Sequence, residues 1–148
     1  MDTKDLLNLI PMVENEVIFT PQKVRDLLNQ TESKDYDLEE DEKIVEKYTV
    51  PGDYKLIGLE YDLKYLITEG DWKNLQEDLA FDFVGCLPDG FEPMFNTKAL
   101  LQAMEDDYTY MHQVVDFINK MTDDDYQNYS VEGHVESDGV NYVVIKEL

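Results

Sequence analysis

The C-terminal stretch YSVEGHVESDGVNYVVIKEL alternates apolar and polar residues on both sides of Ser137–Asp138–Gly139. Period-two alternation interrupted by an Asp-Gly turn is the strongest short-range hairpin signal that a sequence carries. It commits the C-terminus to two antiparallel strands, with Tyr129, Val131 and Val135 expected on one face and Ser130, Glu132, His134 and Glu136 on the other. Residues 54–70, YKLIGLEYDLKYLITEG, are rich in aromatic and branched side chains; they read as two strands with a break near Glu60–Asp62, or as one long bent strand. EVIFT, residues 16–20, reads as a shorter strand.

Helical spacing occupies much of the remainder. TKDLLNLI, residues 3–10, puts Leu6, Leu7 and Ile10 on one face before Pro11 stops it. TPQKVRDLLNQ has the clearest helix start, with Thr20 as N-cap, Pro21 in the first turn, and Val24, Leu27 and Leu28 at core spacing. Residues 31–50 begin as a loop; from Leu38 onward Ile44, Val45 and Tyr48 form the stripe of a short helix that the Pro51–Gly52–Asp53 turn ends. Asp71 is expected to cap a helix carrying Trp72, Leu75, Leu79 and Phe83, which breaks at Gly85 before the loop CLPDGFEPMF.

Asn96 or Thr97 then caps a pattern through Leu100, Leu101 and Met104, followed by a broad apolar face of Tyr108, Met111, Val114, Val115, Ile118 and Met121. Glu105–Asp107 is either a turn between two helices or part of one. Thr122 is expected to cap a further short helix with Asp123, Asp124 and Asp125 in its first turn, where the exposed N–H groups and the helix dipole favour negative charge. No repeat, low-complexity tract or linker divides the chain. The expectation is one compact α+β domain over residues 1–148, with several helices packed on a small, mostly antiparallel sheet that ends in a C-terminal β-hairpin.

Charge restricts function more than fold. Against 34 Asp and Glu stand 12 Lys and Arg, a formal net charge of −22. A small domain needs a magnitude of only about 2–8 for solubility, and a larger excess repels itself and costs stability. Nucleic acid and anionic membranes share this sign, so direct binding to either is disfavoured and a basic protein is the natural partner. The single cysteine, Cys86, rules out an internal disulfide and suits a reducing compartment. With neither a leader pattern nor a long apolar run, a cytoplasmic protein is expected, in the host cytoplasm if phage-encoded.

Catalytic chemistry finds little support. Nucleophilic catalysis needs an activated Ser, Cys or Thr beside a base, and the only histidines, His112 and His134, read as structural or surface residues. One Cys and two distant His cannot close a zinc site. An EF-hand loop starting at Asp123 would need glycine where Asn128 stands and glutamate where His134 stands. With 34 acids, carboxylate pairs arise by chance, so they single out no glycosidase pair. The chain is therefore read as no enzyme, with no cofactor and no metal.

What remains is acid set beside tyrosine, in KDYD (34–37), LEYD (59–62), EDDYTY (105–110) and TDDDY (122–126). Acids at alternate strand positions stand about 6.8 Å apart and those one helical turn apart about 6 Å, close to the spacing of phosphates along a nucleic-acid strand. The resulting expectation is an inhibitor that mimics nucleic acid in the channel of a basic nuclease or other nucleic-acid-binding protein. A phage or mobile-element counter-defence protein of the anti-CRISPR or anti-restriction kind fits that description; no family motif narrows it. An immunity protein against a nuclease toxin, or an oligomeric interaction module contacting through 99–121, are the alternatives. The expected partner surface comprises Asp35, Asp37, Glu39, Glu40, Asp41, Glu42, Glu105, Asp106, Asp107, Tyr108, Asp123, Asp124, Asp125 and Tyr126.

Overall fold

A computed structural model describes residues 17–31, 43–87 and 97–148. The helix expected at 3–10, Asn96, and the acids Asp35, Asp37, Glu39, Glu40, Asp41 and Glu42 lie outside these described residues.

The elements are α1 (Pro21–Asn29), β1 (Ile44–Tyr48), β2 (Lys55–Leu59), β3 (Lys64–Thr68), α2 (Glu69–Gly85), α3 (Thr97–Asp106), α4 (Tyr108–Met121), β4 (Tyr129–Ser137) and β5 (Val140–Glu147). The strands form one sheet in the order β1-β2-β3-β5-β4, with every neighbouring pair antiparallel. The α+β architecture expected from the sequence, with its C-terminal hairpin, is the one observed. The hairpin turns at Asp138 (φ 50°) and Gly139 (φ 81°), the paired positive φ values of a tight hairpin whose twist matches its strands.

The sheet is covered on both faces. On one side α2, α3 and α4 bring Trp72, Leu79, Met104, Met111 and Ile118 against Leu56, Ile67, Val143 and Ile145. On the other side α1 packs Val24, Leu27 and Leu28 against Leu59, Leu66 and Val144. Two-sided burial explains why YVVI in β5 is an unbroken apolar run rather than an alternating one, since each successive side chain enters a different core.

Several expectations are corrected. Ile44–Tyr48 forms β1, not a helix, because pairing with β2 from Ile44↔Leu59 to Tyr48↔Lys55 uses its backbone groups and branched side chains suit the pleat. Residues 17–20 are not a strand; they lead into α1, and Phe19 packs edge-on to Tyr142 with centroids 5.8 Å apart. The helix cap expected at Asp71 falls at Thr68, whose hydroxyl accepts from the Asp71 N–H at 3.2 Å, so Asp71 lies in the first turn. Asp107 separates α3 from α4 as the N-cap of α4, its carboxylate accepting from the Thr109 N–H at 3.0 Å.

In β4 a bulge between Val131 and Gly133 shifts the register. Tyr129 and Val131 consequently face the three-helix layer, whereas Val135 faces α1, so the three do not share a face as simple alternation predicts. Gly133 also allows Thr31, at the end of α1, to approach β4, because a Cβ there would stand 2.6 Å from Thr31 Cγ2.

Candidate partner interface

The segment after α4 departs furthest from its expected form. Thr122 ends α4 rather than starting a helix: its backbone N–H and its hydroxyl both donate to the Ile118 carbonyl, each at 2.8 Å. Residues 122–128 are not helical. Asp123, Asp124 and Asp125 are all exposed and follow a helix C-terminus, where the dipole disfavours negative charge, so the expected capping role is absent.

This acidic turn is nonetheless braced. The Asn119 side-chain amide donates to the Tyr126 carbonyl at 2.9 Å and accepts from the Tyr126 N–H at 2.8 Å. Tyr126, expected as an interface anchor, is placed with its ring in the core at 7% exposure, and its hydroxyl donates to Asp82 Oδ2 at 2.7 Å. Its ring is therefore a packing element, and the groups this turn exposes are the carboxylates beside it. Burial first, then the Asp82 hydrogen bond and the charges of Asp82 and Asp124, push the Tyr126 hydroxyl pKa up. Burial, then the same two aspartates, also raise the Cys86 thiol, placing Asp82 and Asp124 in one electrostatic neighbourhood.

Asp82 belongs to a row that the sequence reading missed. Asp71, Asp78 and Asp82 recur at intervals of seven and four on α2, so they share one flank of the helix, while Lys73 lies about 200° round from Asp71. Tyr54 donates its hydroxyl to Asp78, and Tyr126 donates to Asp82. The signal was present in the spacing, but the stronger apolar pattern of the same segment masked it. Tyr65 follows the same habit, donating to Glu147 Oε2 at 3.1 Å, and Lys47 pairs with Glu147 Oε1 at 2.8 Å.

The second described cluster lies elsewhere. Glu105, Asp106 and Asp107 are exposed at the start of α4, and that helix of 14 residues sets them about 21 Å from the Asp123–Asp125 turn. Gln102 donates to Asp106 at 3.0 Å, and Asp107 serves as the cap described above. Tyr108 opens α4, and its side chain lies outside the described set. The two clusters thus bracket α4 without merging, while Asp82 joins the later one. Among the described residues none of Glu105, Asp106, Asp107, Asp123, Asp124 or Asp125 has an ion-pair partner, whereas Lys23, Arg25, Lys47 and Lys55 pair with Asp138, Asp62, Glu147 and Glu46.

Among the described residues no group of three or more His, Cys, Asp or Glu side chains is arranged to hold a metal ion, and no helix is long and apolar enough to cross a membrane. No protein-family model, curated protein or solved structure matches the chain.

Proposed function

We propose that this protein is an acidic binding protein, not an enzyme, that inhibits a basic nuclease or other nucleic-acid-binding protein in the cytoplasm by occupying its nucleic-acid channel. A phage or mobile-element counter-defence protein is the biological setting this reading favours. The observation that carries it is the Asp123–Asp125 turn. Three exposed carboxylates, with no ion-pair partner among the described residues, follow a helix C-terminus, where local electrostatics oppose them, yet Asn119 and Tyr126 hold the turn in place. Charge kept against local stability and presented on a braced loop suits recognition, because a preorganised surface loses less entropy on binding. Asp78 and Asp82, separated by about 6 Å of helical rise, extend the charge from this turn along α2 at a phosphate-like interval.

The experiment is competition. The protein is titrated into complexes of DNA with basic nucleases, and release of DNA is followed at several salt concentrations. The reading expects release that weakens steeply with salt, and a variant carrying Asp123→Asn, Asp124→Asn and Asp125→Asn that releases less. Binding to a nuclease that leaves its DNA in place would favour the immunity-protein alternative. Salt-insensitive self-association without DNA release would favour the oligomeric module.

A further inference from the structure

A groove of about 980 Å³ opens between the start of α2, the end of α3 and the β4–β5 hairpin. Val131 and Val140 supply partly exposed apolar wall above the buried Trp72, Met104 and Val143, and Glu69, Lys73, Glu105 and His134 stand exposed at its margin. The volume is in the range of ligand pockets, which join apolar walls to a few polar groups that fix orientation.

Gln76 distinguishes this groove from a surface fold. The residue is 4% exposed, lines the cavity, and its amide has no hydrogen-bond partner among the described residues. Nor is that amide sealed among the buried unpaired polar atoms, so it reaches accessible space. An amide that opens onto the groove with no protein partner is left available to an occupant.

We propose that this groove receives an arginine side chain from a protein partner. The inference rests on the basic partner proposed above and supplies that partner with a specific contact. An anionic occupant would have to approach a chain of net charge −22. An arginine has an apolar stem suited to the partly exposed Val131 and Val140, and its guanidinium carries only donors, matching the Gln76 carbonyl oxygen and the Glu69 and Glu105 carboxylates. Trp72, only 7% exposed, lies at the floor of the groove as part of the core beneath it. Lys73 opposes the arrangement from the margin, and neutralising it should strengthen binding.

Trp72 is the only tryptophan in the chain, so its fluorescence reports on the groove directly. The intact protein is titrated with a blocked Gly-Gly-Arg-Gly-Gly peptide and, separately, with its uncharged citrulline twin. The expected result is a saturable change in Trp72 emission with the arginine peptide only, weakened about tenfold by Gln76→Leu or by Glu105→Gln and strengthened by Lys73→Gln. Emission that does not saturate with the arginine peptide, or equal binding of the citrulline twin, overturns the inference. Because Glu105 is exposed, its variant tests the site even if Gln76→Leu fails to fold. No nuclease is present in this titration. Arginine binding without DNA release in the competition assay would leave the groove standing and defeat the inhibitor reading; the reverse pattern would do the opposite.

Discussion

Tyr126 donates its hydroxyl to Asp82 Oδ2 at 2.7 Å, tying the acidic turn after α4 to the later part of α2. One bond thereby joins two helices and an otherwise exposed triplet of aspartates. The same tyrosine is held through its backbone by Asn119, so the turn is fixed from within the core.

Removing only that hydroxyl, with Tyr126→Phe, should cost about 1–2 kcal/mol, toward the lower end for a hydrogen bond to a charged group because Asp82 is only half-buried. Urea denaturation measures it. In the DNA-release assay the variant should also inhibit less at equal folded fraction, because its aspartates lose their brace. An unchanged urea midpoint would show that this bond does not hold the turn.

Gly58 faces Tyr65 across β2 and β3, and a Cβ there would stand 2.6 Å from Tyr65 Cδ1 and 2.7 Å from the Lys64 carbonyl oxygen. The backbone contact leaves little room for relief by side-chain rotation. Gly58→Ala should therefore destabilise the fold by about 1–3 kcal/mol, the usual cost of overpacking. A thermal melt that matches the parent protein would contradict this.

Acids at the two ends of α4 should respond in opposite directions. Asp107→Ala removes the N-cap and should cost about 0.5–2 kcal/mol. Asp123→Asn removes charge near the helix C-terminus and should raise the urea midpoint slightly, although it weakens inhibition. Paired denaturation curves at low salt make the comparison, since salt screens both effects.

Tyrosine ionisation should set the alkaline limit of stability. Burial, followed by the hydrogen bond and charge of Asp78, pushes Tyr54 up to about 12; burial, followed by the charge and hydrogen bond of Glu147, pushes Tyr65 up to about 12. The unfolded chain releases these protons near the ordinary tyrosine value of about 10. Below that pH the stabilisation is fully present, and it is lost as pH rises from there toward 12, where the folded hydroxyls also ionise. Denaturation midpoints should fall across this window, and the fall should be smaller in Tyr54→Phe. A flat profile from pH 10 to pH 12 would contradict the assignment.

Local chemistry was legible in the sequence wherever a few neighbouring residues decide the backbone. Thr20 and Pro21 start α1, Asp138–Gly139 turns the hairpin, and the break near Glu60–Asp62 separates two strands, because capping bonds and positive φ values act over a few residues. Tertiary structure decided the rest. Ile44–Tyr48 carries a stripe compatible with a helix, and only the availability of β2 as a partner makes it a strand. The bulge in β4 assigns Val135 to the α1 core and Val131 to the opposite one, a choice set by long-range register rather than by alternation. The candidate interface divides in the same way. The abundance of acid is written in composition, but whether Asp124 stands beside Asp82, and whether Tyr126 faces solvent or core, depends on how α2 and α4 pack across about forty residues of intervening chain.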